Sequence, residues 1–481
     1  MSNRPETNKQ SCPVYKKCGG CQLQNLSYPE QLEFKQRKVE KLLKRFCTVE
    51  KIIGMKTPYH YRNKVQAAFY TDKKGKIISG VYQSGSHHVV GIDSCQTEDV
   101  IADKIIVAVR KLLPSFRMTT YNEDTGKGFL RHILVKRGFA TNQIMLVLVT
   151  GTPVFPSKNN FVKAILKQFP EITTILQNIN PYRTNLVLGD NQKVLYGKGY
   201  IEDILCGCRF RISPKSFYQI NPVQTEVLYG KAIEFANLKG NETVLDTYCG
   251  IGTIGIIAAK NGAGNVIGAE LNGDAVRDAI VNARANNLKN IRFYKADAGE
   301  FMREAADEDE KPDVVFMDPP RAGSDRKFLD SLIKMSPKKV VYVSCNPETL
   351  ARDLAYLTQN SPYKAQKIQP VDMFPHTAHI ETVVKLVRKT PDAYVDLKVD
   401  MDELDLTASE AKATYEEIKQ YILDKYDTKV SNLYIAQVKE KYGIIERENY
   451  NKPKSANTKQ SQCPAEKAVM IEEAFKHFKM I

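Results

Sequence analysis

Five short apolar segments, at residues 243–245, 266–269, 291–294, 314–317 and 339–343, recur at intervals filled by helix-like stretches. Strands alternating with helices in this way predict an α/β fold built on a doubly wound sheet. In such a sheet ligands bind beyond the carboxyl ends of the strands. The residues that close each segment are therefore the first place to look for chemistry.

The first segment runs into Asp246-Thr247-Tyr248-Cys249-Gly250-Ile251-Gly252-Thr253-Ile254-Gly255, a glycine-bearing turn that opens a helix. Glycines there let the backbone approach a ligand closely. The second segment ends in Glu270, whose carboxylate can accept hydrogen bonds from two ribose hydroxyls. The turn has neither the G-x-G-x-x-G spacing of a dinucleotide site nor a P-loop, which favours a nucleoside without phosphates, such as S-adenosylmethionine. Asp297, just past the third segment, is then placed to meet the adenine amino group. The alternative is a dehydrogenase-like turn, or glycines that only ease packing.

The fourth segment ends in Asp318-Pro319-Pro320-Arg321. Amino-group methyltransferases carry a similar Asp-Pro-Pro followed by an aromatic residue that stacks on the base; Arg321 stands in that place here. The fifth ends in Ser344-Cys345-Asn346-Pro347, which brings a thiol to the same rim. Buried cysteine is commonly inert packing, but a strand-end cysteine in a polar, proline-limited turn is a candidate nucleophile. A methyl donor together with a nucleophilic cysteine suggests methylation of a pyrimidine carbon. A thiolate adding at C6 of uracil turns C5 into an enolate carbon that can attack a methylsulfonium. A base must later remove the C5 proton so that the cysteine can leave. Residues 374–381 supply candidates for it, of which Glu381 opens a predicted strand at 382–387. Taken alone, Glu381 reads equally as a solvated strand-end acid.

The rest of the chain is read from composition and spacing. At 481 residues it is too long for one ordinary core, and four domains are expected: 1–56, 57–215, 216–389 and 390–481. Ten cysteines with no signal peptide and no run of 18 apolar residues point to a reduced, cytoplasmic protein with no membrane association, expected to be a monomer. Cys12-x5-Cys18-x2-Cys21, with Cys95 further on, has metal-ligand spacing, which permits either an iron-sulfur cluster or a four-thiolate zinc. A formal charge of +15 makes a polyanionic partner plausible. With no Trp, base stacking would fall to Tyr and Phe.

Residues 28–46 predict an amphipathic helix with Leu32, Val39, Leu42 and Leu43 on one side and Lys35, Arg37, Lys38, Lys41 and Lys44 on the other. Residues 57–210 are strand-rich and suggest a mixed α+β domain, in which His132, beside Arg131 and Lys136, is a candidate for touching RNA; an ordinary strand histidine is the favoured reading. After an acidic stretch at 392–405, helices are expected at 408–426, 431–442 and 465–478, with a polar link at 449–463. Ile418, Tyr421, Ile422, Leu433, Ile435 and Val438 could close a small helical module.

Taken together, these motifs resemble the RNA uracil-5-methyltransferase family over roughly residues 12–388. Ser344-Cys345-Asn346-Pro347 is similar to its nucleophile motif, His379-Ile380-Glu381 to its base motif, and Ser216-Phe217-Tyr218-Gln219-Ile220-Asn221 to the segment whose glutamine contacts the methyl donor. The resemblance implies a Rossmann-like class I methyltransferase domain, an N-terminal iron-sulfur and mixed α+β RNA-binding region, and a C-terminal helical extension outside the shared pattern. It implies Cys345 as nucleophile and Glu381 as proton acceptor. Gln219, Tyr248, Thr253, Glu270, Asp297 and Asp318 become its S-adenosylmethionine positions. Cys12, Cys18, Cys21 and Cys95 resemble the 4Fe-4S ligands of the branch that methylates 23S rRNA, with zinc the alternative occupant. The cysteine spacing of radical methyltransferases is absent, so a cluster here is expected to be structural. The extra RNA-binding β-barrel that opens many members is expected to be missing before Cys12. A tRNA uracil-5-methyltransferase and a non-catalytic iron-sulfur RNA-binding protein are the other readings. The simultaneous presence of Cys345, Glu381, Gln219 and Asp318 argues against the second.

Overall fold

The computed structural model describes residues 12–389, 414–442 and 463–481, apart from 84, 85, 87, 183, 185, 309 and 479. These fall in two compact units, Met1–Asp392 and Ala393–Ile481.

In the first unit, the strand-rich stretch forms β1 (Lys64–Thr71), β2 (Ile77–Tyr82), β3 (Val89–Gly91), β4 (Leu130–Arg137), β5 (Ile144–Thr150), β6 (Ile172–Ile179) and β7 (Asn191–Tyr196). Their order is β3-β2-β1-β4-β5-β6-β7. Neighbours are antiparallel except β5 and β6, which are parallel and joined by the crossover helix Lys158–Gln168. That helix and Val100–Leu112 cover one face, burying Val65, Phe69, Ile133, Leu146 and Phe161. The other face presents Leu134, Met145, Val147 and Leu176 to the hairpin of β8 (Ile201–Leu205) and β9 (Cys208–Ile212). The hairpin turns at Cys206 (φ 50°) and Gly207 (φ 72°), both in the left-handed region that tight two-residue hairpins require. The Cys206-x-Cys208 spacing thus belongs to a β-turn.

The five apolar segments become β10 (Thr243–Asp246), β11 (Asn265–Glu270), β12 (Ile291–Lys295), β13 (Val314–Met317) and β14 (Lys339–Ser344), followed by β15 (Tyr363–Val371) and β16 (Glu381–Arg388). The sheet order is β12-β11-β10-β13-β14-β16-β15. The first five strands are parallel, whereas β16 is antiparallel to both its neighbours. Helices cover both faces, which is why β13 and β14 read as unbroken apolar runs. Chain order reverses between β10 and β13, so the ligand crevice of an open α/β sheet opens above that pair. This is the Rossmann-like arrangement expected.

The basic helix spans Tyr28–Leu43, with a capping box in which Ser27 and Glu30 satisfy each other's backbone N–H groups. The expectation that Lys35 lies on its charged face is wrong. Gln31, Lys35, Val39 and Leu43 are spaced by four residues and form one buried stripe, and the Lys35 ammonium meets Asp372 at 2.6 Å.

The second unit contains helices Tyr415–Tyr426, Asn432–Lys441 and Ala465–His477, closed around Ile418, Ile422, Ile435, Ile471 and Phe475. The acidic stretch at 392–405 lies outside the described residues, as does all of the expected link except Cys463. No helix among the described residues is long and apolar enough to cross a membrane.

Candidate active site

One rim of the second sheet collects nearly every residue singled out above. Asp246 and Glu270 end β10 and β11, Asp318 follows β13, and Cys345 follows β14. Glu381 begins β16, and because β16 runs backwards its start lies at the carboxyl edge of its parallel neighbours. Ser344 pairs with Thr382 at the end of the β14–β16 ladder, which brings Cys345 and Glu381, each one residue further out, to the same edge. A cavity of about 590 Å³ opens here, lined by Gln219, Tyr248, Thr253, Glu270, Asp318, Arg321, Cys345, His379 and Glu381 among others.

The glycine turn shapes the cofactor end. Gly252 has φ 82° and starts the helix Thr253–Lys260, where a Cβ would sit 2.8 Å from the Phe293 ring. Glu270 is held by the N–H groups of Gly250 (3.0 Å) and Asn272 (2.8 Å), which aims its carboxylate across the turn. The Tyr248 ring packs against Phe328, with centroids 5.5 Å apart. Gln219 and Thr253 both face the buried hydroxyl of Tyr229, tying the 216–221 segment to this turn. The enclosed volume, the aimed acid and the open backbone fit a nucleoside.

Asp297 sits differently. It caps the helix Ala298–Asp307, accepting N–H bonds from Gly299 and Glu300, and it is exposed rather than on the cavity wall.

Asp246 was not singled out in the sequence, although an acid ending the first strand was a visible signal. It is 1% exposed, and its Oδ2 accepts the Gly255 N–H at 2.7 Å while Oδ1 has no partner. Burial pushes its carboxyl up to about 7.

At the reacting end, Ser344 and Asn346 bond to each other across Cys345. Asn346 caps the helix Pro347–Asn360 and donates to the Arg321 carbonyl at 3.1 Å, which locks the thiol turn to the Asp318–Arg321 turn. Burial, then the carboxyls of Glu381 and Asp318, push the Cys345 thiol up to about 11; Arg321 pulls the other way. Burial likewise pushes Asp318 up to about 7. It also holds Glu381 well above the ordinary carboxyl range, an effect strengthened by Asp318 and opposed by Arg321. Three acidic groups thus crowd one dry corner with a single guanidinium to offset them. Such perturbed clusters are where proton transfer and nucleophilic chemistry are found.

The four expected metal-ligand thiols are all free and half-buried. Cys21 is pushed up to about 12 by burial and, among other groups, by Cys95, Cys18 and Cys12, so the fold gathers the distant fourth thiol with the first three. Among the described residues no three Cys, His, Asp or Glu side chains stand at a spacing that holds a metal ion. The donor chemistry therefore suits a thiolate-bound centre, while the spacing is looser than an occupied one.

On β4 the ordinary strand histidine is favoured over an RNA contact at His132. Arg131, His132 and Lys136 are 3%, 5% and 4% exposed. Arg131 pairs with Glu123 at 2.7 Å, and Lys136 donates to the carbonyls of Ser213 and Ser216, both at 2.8 Å. Burial pushes the His132 imidazole down to about 4, so it is an ordinary interior histidine.

Comparison with known proteins agrees with this geometry. Residues 163–389 match the model of the tRNA (uracil-5-)-methyltransferase family. The chain is similar to an uncharacterized RNA methyltransferase of Bacillus cereus, 43% identical over 80% of this chain and 84% of that protein. It is also similar to one of Clostridium tetani, 45% identical over 78% and 81%. Among solved structures it resembles the Pyrococcus abyssi tRNA (uracil-54, C5)-methyltransferase in complex with S-adenosyl-L-homocysteine. There the TM-score is 0.65 and the identity 31%, over 79% of this chain and 87% of that one. The cavity, the thiol and carboxyl that line it, and these relatives lead to one conclusion: the chain belongs to the family of S-adenosylmethionine-dependent RNA uracil-5-methyltransferases.

Proposed function

We infer that this protein methylates C5 of uracil in 23S rRNA, acting on the RNA or its fragments before assembly, through a covalent bond between Cys345 and C6. The observation that carries the mechanism is that Cys345 and Glu381 lie one residue beyond the last pair of the β14–β16 ladder and line one cavity.

Gln219, Tyr248, Thr253, Glu270 and Asp318, on the cavity wall, are assigned to the cofactor, which would supply a methyl group and a positive charge; Asp297, off that wall, is assigned to it on the family resemblance alone. Burial raises both the Cys345 thiol and the Glu381 carboxyl, so both resist ionisation. A cation placed among these acids favours their ionised forms. Cys345 gives its proton to solvent and its sulfur bonds to C6, pushing electrons onto C5, which would take the donor's methyl group as the S–CH3 bond breaks and S-adenosylhomocysteine leaves. Ionised Glu381 then removes the C5 proton, the C6–S bond breaks, and the thiolate departs. The target uracil must leave its stack to reach this depth.

The 23S assignment is supported by the four thiols. Cys12, Cys18, Cys21 and Cys95 would hold a 4Fe-4S cluster that stiffens the RNA-binding region. An anaerobic absorption spectrum with a band near 400 nm distinguishes it from colourless zinc. The tRNA reading is favoured by the names of the family model and of the Pyrococcus abyssi relative. Mapping 5-methyluridine in rRNA and tRNA from cells with and without the gene decides between them. For the mechanism, Glu381→Gln is expected to trap a protein–RNA adduct on denaturing gels that Cys345→Ala cannot form; no adduct under any condition defeats covalent catalysis.

A further inference from the structure

The connection from β15 to β16, residues 372–380, is long for two antiparallel neighbours, which commonly join through two to five residues. It is also almost wholly interior: Asp372, Met373, His376, Thr377 and Ile380 are each no more than 4% exposed. Backbone polar groups in a buried loop must find partners. Here many of the partners come from one distant segment, residues 22–61.

Two side chains on the buried stripe of the basic helix do most of this. The Lys35 ammonium donates to Asp372 Oδ1 at 2.6 Å and to the Phe374 carbonyl at 3.0 Å. Gln31 accepts the His376 N–H at 2.8 Å and meets His376 Nδ1 at 3.2 Å. Around them, Tyr28 donates to Asp372 Oδ2 (2.9 Å), Tyr61 to the Pro375 carbonyl (2.9 Å), and the Leu23 N–H to the His376 carbonyl (2.9 Å). His376 Nε2 lies 2.9 Å from the Pro58 carbonyl.

His376 is held at φ 69°, a backbone state disfavoured for a residue with a side chain. Such a state persists only where the surroundings over-determine it. The loop delivers Phe374 and His379 to the cavity wall and ends at Glu381. Glu381 must sit buried near Asp318, where ionising both carboxyls sets like charges against each other. A loop free to relax would let it withdraw.

The geometry points to Gln31 and Lys35, acting through His376 and Asp372, as positioning residues that hold Glu381 at the reacting carbon. They touch neither substrate nor cofactor. The inference rests on the covalent reading above, in which Glu381 takes the C5 proton. It adds that the base is placed from the far end of the chain, by the helix that follows the three clustered cysteines.

The test uses the full chain with two variants, Gln31→Leu and the charge-neutral pair Lys35→Met with Asp372→Asn. Each is measured for thermal midpoint, affinity for S-adenosylhomocysteine, kcat and KM on transcribed 23S rRNA and tRNA, and adduct on denaturing gels. Should the double variant fail to fold, Gln31→Leu, which removes no charge, decides alone.

A misplaced base is expected to lower kcat by about 10- to 100-fold. Both KM values should stay within about twofold, and adduct should accumulate as in Glu381→Gln. Unchanged kcat, or a loss carried by KM or by S-adenosylhomocysteine affinity, overturns the assignment. So does a trapped adduct in Glu381→Gln with none in the slowed variants. If Glu381→Gln itself traps nothing, the covalent reading fails. The division between kcat and KM then decides positioning by itself: lowered kcat at constant KM supports it, and any other pattern removes it.

Discussion

Replacing Glu381 by Gln should make Cys345 more reactive towards a simple alkylating agent while making the enzyme slower. The thiol is pushed from an ordinary 9.0 up to about 11, with burial the largest cause and the Glu381 carboxyl the next. At pH 8 a thiol at 11 is roughly one part in a thousand thiolate, against about one in ten for a thiol at 9, a difference of about a hundredfold or 2.7 kcal/mol. The variant removes the Glu381 contribution and leaves burial, so it recovers only a fraction of that. A less basic thiolate is also a weaker nucleophile, with a Brønsted slope near 0.4–0.5, which reduces the ceiling on the rate to about tenfold. The sign is nonetheless fixed: lowering the thiol's pKa raises the thiolate fraction at every pH below it. Iodoacetamide labelling of the Cys345 peptide, followed by mass spectrometry between pH 7 and 10, should run faster in Glu381→Gln than in the parent. Equal or slower labelling would refute the placement of that carboxyl beside the thiol.

Other consequences follow from the same corner. Asp246 is raised from 3.8 to about 7 by burial, so folding favours its protonated form; the stability it gives is complete below 3.8 and is lost as pH rises through 7. Asp246→Asn should therefore unfold at higher urea than the ligand-free parent at pH 8, by up to about 4 kcal/mol, with the gap closing near pH 4; parallel curves for the two proteins would count against it. Glu270→Ala should weaken S-adenosylhomocysteine binding in calorimetry by at least about tenfold, the worth of one charge-assisted hydrogen bond, at little change in thermal midpoint. Phe328 is fully buried beneath the Tyr248 ring, and Phe328→Ala should cost about 3–5 kcal/mol in urea unfolding. A cost under about 1 kcal/mol would mean that the helix Arg326–Met335 repacks freely.

The central parallel strands β10, β13 and β14 were legible because strands covered on both faces are largely apolar, and the edge strand β12 through its place in the alternation of strands and helices. Cys345 and Glu381 were legible through their motifs, but their meeting at one edge was not. It depends on β16 running backwards, and an apolar strand reads the same in either direction. Lys35 was misread because a charged residue was assigned to the charged face, although its spacing of four from Val39 placed it on the buried stripe. Arg131, His132 and Lys136 lie on β4, which is covered on both faces although it carries polar residues; Arg131 and Lys136 find internal partners there, whereas His132 Nδ1 finds none. Asp297 shows the converse: its place at a strand end was read correctly, but its carboxylate oxygen serves a helix start.

Because Cys345 and Glu381 lie one residue beyond the Ser344–Thr382 pair, their separation is governed by a β-sheet, whose strands run about 4.7–4.9 Å apart. Uracil is attacked at one ring carbon and deprotonated at the next, from groups that must straddle a single bond. A sheet is a rigid ruler for such a task, since its hydrogen-bond ladder resists stretching where a loop would give. The antiparallel reversal at the end of an otherwise parallel sheet thereby converts a structural constant into a chemical one. A change that slipped the register by one residue would turn the base to the opposite face of the sheet, together with every other side chain of that strand.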